Sequence, residues 1–155
     1  KLQAEQLLYY YSLQQPSVTC NSLRIYNCYG ENQDKNDMQQ GMLSIYEAMA
    51  EQGEIVVKGS GDRIRNFIHV DDLVHGIMLA VNRLGGKPYE VINMGTGVPI
   101  TVEEIVESFG CPYRYTDPTP YDIDVCNADM SKAFSLLGYL AQDRVLSYIS
   151  QRSHH

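Results

Sequence analysis

A chain of 155 residues, 44% hydrophobic and 20% charged, has the length and composition of one folded domain with a buried core, which excludes a disordered segment. It carries 12 Lys+Arg against 19 Asp+Glu, a net charge of -7 and a pI near 4.9; no nucleic-acid partner is expected, because binding a phosphate backbone needs a basic face. No apolar run approaches the roughly 20 residues of a membrane-crossing helix and no charged-then-apolar leader opens the chain, so a cytoplasmic protein without membrane contact is expected.

Residues 2–11 carry Ala4, Leu7, Leu8 and Tyr11 at helical spacing, and Pro16 bounds them. Residues 18–26 predict a strand that opens into a loop at Asn27-Cys28-Tyr29-Gly30, and residues 31–40 have the composition of a surface loop. A helix is predicted over 42–50 with Gly53 at its C-terminus, then a strand over 55–58 that ends in the turn Gly59-Ser60-Gly61-Asp62. Residues 67–70 form a second short extended piece. Asp71 is placed to cap the next helix, in which Leu73, Val74, Ile77, Met78, Val81 and Leu84 repeat at intervals of three and four before Gly85-Gly86. A strand follows over 89–93, then Gly95-Thr96-Gly97. Thr101-Val102-Glu103-Glu104 forms a capping box, with Ile100 and Ile105 as its hydrophobic staple. A last helix is predicted over 129–137, stopped by Gly138. Helices and strands alternate throughout, which places the chain in the α/β class.

Several patterns point away from particular chemistries. Cys20, Cys28, Cys111 and Cys126 show no C-x-x-C spacing, so scattered reduced thiols are expected, and no metal. Gly95-Thr96-Gly97 stands between a strand and a helix, where a dinucleotide fingerprint would sit, but Ile100 takes the place of the third glycine. Gly59-Ser60-Gly61 fails in the same way at Ile64. Neither loop is read as a phosphate cradle. His69, Asp71 and Asp72 suggest a His–carboxylate constellation, yet a capping Asp71 and a His69 alternating on a strand account for them without catalysis. Residues 152–155, Arg-Ser-His-His, read as the remnant of a purification tag.

Four stretches carry a resemblance. Residues 59–80, GSGDRIRNFIHVDDLVHGIMLA, resemble the G-x-G-x-x-x-R-x-F-x-H-V-D-D segment of the nucleotide-sugar epimerases and dehydratases, members of the extended short-chain dehydrogenase/reductase superfamily. Leu23-Arg-Ile-Tyr-Asn-Cys-Tyr-Gly30 is similar to that family's L-R-x-x-N-x-Y-G strand and loop. Tyr89-Glu-Val-Ile-Asn-Met-Gly95 resembles its Y-x-x-x-N-x-G strand, and Asp129-Met-Ser-Lys132 with Leu137-Gly138 resembles its A-D-x-S-K…L-G helix. All four occur in the family's order.

The resemblance implies the C-terminal part of a Rossmann-like fold with the small substrate-binding subdomain. Residues 1–35 would end the cofactor-binding part, and residues 36–151 would form the substrate-binding part with returning Rossmann elements. It implies that Lys1 occupies the lysine position of the family's Tyr-x-x-x-Lys motif, with the tyrosine and the glycine-rich loop upstream. A lysine there binds the nicotinamide ribose and lowers the tyrosine's pKa, since a fixed ammonium favours phenolate over phenol. Without that tyrosine, Lys1 catalyses nothing. NAD or NADP would be bound mainly by the upstream half, with Tyr26 at the nicotinamide pocket or simply a buried strand tyrosine.

For the substrate, a nucleoside diphosphate sugar, the resemblance implies Arg65 on the diphosphate, where a planar cation suits phosphate oxygens. The alternative is an ion pair of Arg65 with Asp62 or Asp71. Arg63 is read as solvated. Asn27 would hydrogen-bond the substrate, or form an asparagine turn. Two departures stand out: the family's R-P-G-D is Thr119-Pro120-Tyr121-Asp122 here, leaving Asp122 as a ribose or fold contact, and Asn66 stands where aspartate is common. The function implied is that of an NAD(P)-dependent sugar-nucleotide epimerase similar to UDP-glucose 4-epimerase, which oxidises and re-reduces a sugar carbon. Dehydratases and reductases share the motifs, and a non-catalytic sugar-nucleotide-binding fragment is the other alternative. A homodimer through the Leu7/Leu8/Tyr11 face would also fit the resemblance.

Overall fold

The computed structural model describes residues 1–35, 37, 41–83 and 86–152. In chain order its elements are α1 (Leu2–Gln14), β1 (Cys20–Ile25), β2 (Asn27–Tyr29), α2 (Met42–Glu51), β3 (Ile55–Lys58), β4 (Ile64–Arg65), β5 (Phe67–His69) and α3 (Val70–Val81). There follow β6 (Tyr89–Met94), β7 (Ile100–Thr101), α4 (Val102–Ser108), β8 (Tyr113–Thr116), α5 (Ser131–Leu137) and α6 (Val145–Arg152). Strands β1 and β6 pair in parallel from Cys20 opposite Tyr89 to Ile25 opposite Met94. The β2–β5 and β3–β8 pairs are parallel too, and β4–β7 is antiparallel. Parallel pairs need long crossovers, which the helices supply, so the α/β class follows directly.

Alternation along β1 sends its side chains to two sides. On one side Arg24 meets Glu5 of α1, and Ser22 reaches the Tyr89 hydroxyl, whose ring lies 5.5 Å from that of Tyr9. On the other side Asn21 donates to Ala80 O of α3, and Leu23 joins the core formed by Ile68, Leu73, Ile92, Met94, Ala133 and Tyr139. A second core lies among β2, β3, β5, α2, α4 and α6, with Tyr29, Leu43, Ile55, Phe67, Val106 and Ile149 among its members. Gly76 of α3 permits the first core to close, because a Cβ there would lie 2.9 Å from Met94 Sδ.

The structure departs from the sequence expectations at identifiable places. Residues 27–29, expected as loop, form β2 because β5 offers a parallel partner. The strands β4 and β8 were not anticipated: one has only two residues, and the other reads Tyr-Arg-Tyr-Thr without an aliphatic position. Helix α6 was also missed, since it buries only Val145 and Ile149. Arg152, expected in a tail, ends α6, pairs with Glu47 at 2.8 Å and lies over the Tyr148 ring. Residues 153–155 lie outside the described residues, as do Leu84 and Gly85, where the end of α3 was expected, and part of the 31–40 loop. The cap of α3 is His69, not Asp71: its Nδ1 accepts from Asp71 N at 3.3 Å. On α1, Leu7 and Tyr11 are exposed, and Ser12 is the helix's buried residue. On α3, Leu73, Gly76 and Ala80 face inward while Val74, Met78 and Val81 form an exposed stripe. The capping box at Thr101 and Glu104 is present, with Ile100 and Ile105 buried in one core.

Among the described residues no helix is long and apolar enough to cross a membrane, and no group of three His, Cys, Asp or Glu could hold a metal ion. All four cysteines are free thiols.

Candidate functional site

Because β1 and β6 run parallel, Ile25 and Met94 end side by side, and the segments that follow them meet at one edge of the fold. In open α/β sheets, ligands bind outside such carboxyl ends. Tyr26 N donates to Met94 O at 3.0 Å, and Asn27 Nδ2 donates to Asn66 O at 2.8 Å. Tyr26 and Asn27 are thereby fixed beside the residue that follows Arg65.

Asn66 is wholly buried and ties three segments together. Its Nδ2 donates to Val98 O and Asn127 Oδ1, both at 2.9 Å, and more weakly to Thr96 Oγ1 at 3.3 Å. Its Oδ1 accepts from Thr96 N at 3.0 Å. An aspartate could not donate to Val98 O or Asn127 Oδ1, so the amide at this position is matched to its surroundings. A Cβ on Gly95 would overlap Asn66 Oδ1 and come within 2.8 Å of Ala128 Cβ. The Gly95-Thr96-Gly97 turn is therefore packed by the chain's own side chains. Gly61 is likewise closed off by the Tyr115 hydroxyl. In both turns the space that a Cβ would take is filled by the chain's own side chains.

Strand β4 and the residue before it, Arg63, set the charges. Residues two apart in a strand share a face, so Arg63 and Arg65 both turn inward, each 7% exposed, while Ile64 turns the other way. Arg63, read as solvated, is thus buried, and its Nε donates to Ser60 O at 2.7 Å while Nη2 donates to Lys58 O. Arg65 Nη1 donates to Ile64 O at 2.8 Å and Ile123 O at 2.7 Å. Both guanidiniums meet one carboxylate: Arg63 Nη1 pairs with Asp122 Oδ2, and Arg65 Nη2 with Asp122 Oδ1 at 2.9 Å. Asp62 and Asp71, the expected partners of Arg65, are engaged elsewhere, by Ser60 and beside His69. Behind the arginines lies the buried Tyr46; burial pushes its hydroxyl pKa up, against the pull of Arg63 and Arg65.

The Asp122 side chain is 30% exposed, so the cluster opens to solvent through it. Next to it, Tyr121 is fully exposed at φ +65°, in the left-handed region. This is the position at which the resembling motif has glycine, the residue for which that conformation costs least.

Lys1 is exposed at the N-cap of α1. One helical turn on, Glu5 takes both of its oxygens to Arg24, at 2.9 and 2.7 Å, and the Arg24 guanidinium holds the Glu5 carboxyl below its usual pKa. Arg24 lies near the end of β1, so this pair brings the start of α1 to the same end as Tyr26. Hollows of about 320 Å³ beside β1 (Asn21, Ile77, Arg83) and 650 Å³ between α2 and α6 (Glu47, Cys111, Arg152) are lined by none of the site residues.

Residues 1–95 match the profile of the NAD dependent epimerase/dehydratase family. The UDP-glucose 4-epimerase of Bifidobacterium longum is 30% identical over 162 residues, covering 92% of this chain and 48% of that protein. A crystal structure of the Thermotoga maritima UDP-glucose 4-epimerase with UDP-glucose superimposes with a TM-score of 0.83 at 26% identity, over 99% of this chain and 50% of that one. The Bifidobacterium longum enzyme in complex with NAD+ and UDP gives a TM-score of 0.80 at 26% identity, over 99% and 52%. The chain spans about half the length of each of these relatives.

Proposed function

The chain belongs to the NAD-dependent epimerase/dehydratase family, and from that premise we propose that it is the substrate-binding portion of a nucleotide-sugar epimerase similar to UDP-glucose 4-epimerase. The observation that carries the reading is the pair of buried guanidiniums, Arg63 and Arg65, sharing the single carboxylate of Asp122 beside the carboxyl ends of parallel strands. A buried charge left uncompensated is costly, so an excess of one positive charge in a protein of net charge -7 suits an anionic ligand.

In this reading Arg65 holds the diphosphate of a nucleoside diphosphate sugar, Asn27 hydrogen-bonds the substrate, and Asp122 serves the ribose end of the site. Lys1 and Tyr26 lie where a nicotinamide ribose would approach from the cofactor-binding part, and Lys1 would favour the phenolate of a neighbouring tyrosine. NAD, when bound, supplies hydride acceptance and return. Its pyrophosphate is held outside these residues, because both glycine turns of this chain lack the third glycine of a dinucleotide fingerprint, with Ile100 and Ile64 in its place. Residues 1–35 then end the cofactor-binding part, and residues 36–151 form the substrate part, from which β6 returns to pair with β1. The exposed Leu7 and Tyr11 of α1 suit a homodimer contact, and the four free thiols suit the reducing cytoplasm.

The experiment is turnover of UDP-glucose by the full-length protein with NAD. The reading expects UDP-galactose to form without net accumulation of NADH. A dehydrated keto sugar, net consumption of reduced cofactor, or no reaction would contradict it in favour of a dehydratase, a reductase or a binding module.

A further inference from the structure

We propose that Asp122 is a displaceable counter-ion: it occupies the Arg63/Arg65 site when no ligand is bound and must leave for a diphosphate to enter. The inference deepens the substrate reading above and rests on it. Counting charge gives the first argument. Two guanidiniums face one carboxylate, and each pair is made with Asp122. A nucleoside diphosphate sugar carries two negative charges, so it neutralises the arginines by itself. With Asp122 still in place the site would hold one negative charge too many, and in a poorly solvated cluster that excess is expensive.

The second argument is how the carboxylate is mounted. The chain on its far side is anchored to β4: Ile64 N donates to Asp124 O at 2.7 Å, and Cys126 N to Ile64 O at 2.9 Å. Before that anchor, residues 117–123 form no helix or strand. They are held by a turn in which Asp122 N donates to Thr119 O at 3.2 Å, by Asp122 itself, and by the Arg65 bond to Ile123 O. Asp122 and Ile123 thus both hang on arginines that a diphosphate would claim.

The third argument is strain. Tyr121 keeps φ +65° with its ring fully in solvent, so no packing of that ring repays the conformation. Such outliers persist where the surroundings over-determine them. Here the two ion pairs of the next residue do so, and release of Asp122 would let Tyr121 relax. The carboxylate thereby sets specificity. A single-charge anion competes poorly with a tethered carboxylate, whereas a diphosphate replaces it with charge to spare.

The test is calorimetric titration of the full-length protein with inorganic pyrophosphate, which carries at least as much negative charge but neither base nor ribose. Asp122→Asn is expected to tighten pyrophosphate binding on the order of tenfold, about 1.4 kcal/mol. Tyr121→Asn, which tolerates the left-handed region and so favours the closed loop, should weaken pyrophosphate about threefold, well under 1 kcal/mol. Unchanged or weaker binding in Asp122→Asn overturns the proposal. If that variant does not fold, Tyr121→Asn decides: unchanged pyrophosphate affinity with weakened UDP would mean that Tyr121 only stacks on a base, and displacement falls. Arg65→Ala separates the two readings. If pyrophosphate and UDP-glucose both bind through Arg65 but Asp122→Asn weakens pyrophosphate, only the displacement fails. If neither ligand binds through Arg65, the substrate reading fails and the displacement with it.

Discussion

The side-chain amide of Asn66 points its two N–H groups at acceptors, Val98 O and Asn127 Oδ1, and the orientation of Asn127 is itself held because its Oδ1 also accepts from Ala128 N at 3.0 Å. Asn66→Asp would set a carboxylate against these oxygens. We expect it to cost about 2 kcal/mol at neutral pH, the price of unsatisfied buried groups. The new carboxyl would have its folded pKa raised by burial and by facing acceptors. Its protonated form is then the one the fold prefers, so the loss should shrink as pH falls toward about 4, near the unfolded aspartate value. Thermal melts at pH 7 and pH 4 check this; equal destabilisation at both would contradict it. At this scale the sequence singled out Arg65 through a motif, with a diphosphate, Asp62 or Asp71 as its expected partner. It was silent where the partner came from a distant loop. Nothing between residues 63 and 122 signals that Asp122 closes the pair. The burial of Arg63 had a readable signal, a two-residue spacing from Arg65, but the strand that makes the spacing meaningful has only two residues.

The start of α4 shows an element whose sequence was sufficient. Thr101 Oγ accepts from Glu104 N at 3.1 Å, while Glu104 Oε2 accepts from Thr101 N at 2.8 Å. Both contacts are local, so four residues specify them. Thr101→Ala should cost about 1 kcal/mol in a denaturant midpoint. The same bonds hold the Glu104 carboxyl below its ordinary pKa of 4.5. A depressed folded value means that its contribution is full above about 4.5 and fades as pH falls through the lower folded value. The gap between wild type and Glu104→Ala should therefore narrow below pH 4.5; a gap that widens there would refute this account of the box. By contrast, β2 and β8 depend on partners 40 and 58 residues away in sequence, Asn27 with Phe67 and Ile55 with Tyr113. A pattern within either segment could not reveal them. The α3 cap differs for another reason: Asp is the better capping residue in general, but His69 stands two residues before Asp71 and its ring nitrogen reaches Asp71 N.

Across the whole molecule, apolar surface is left uncovered where β1 and its two flanking helices meet solvent. Among the described residues β1 pairs with β6 alone, which leaves its other edge open. Exposed Tyr10 and Leu13 on α1 and Val74, Met78 and Val81 on α3 flank it. An open strand edge beside apolar helix faces is what another strand and its helices would cover. The 155-residue chain by itself should accordingly show no binding of NAD in a micromolar titration, and the full-length protein should bind it. Saturable NAD binding by this chain alone would contradict the division of labour proposed between its two parts. The acidic balance that set nucleic acid aside also makes Arg63 and Arg65 the exception to be explained. The most direct test of that exception is calorimetric titration of UDP-glucose into the full-length protein and its Arg65→Ala variant. The account predicts that the variant loses at least tenfold in affinity, about 1.4 kcal/mol or more, while still melting cooperatively. Unchanged affinity in a folded Arg65→Ala protein would contradict it.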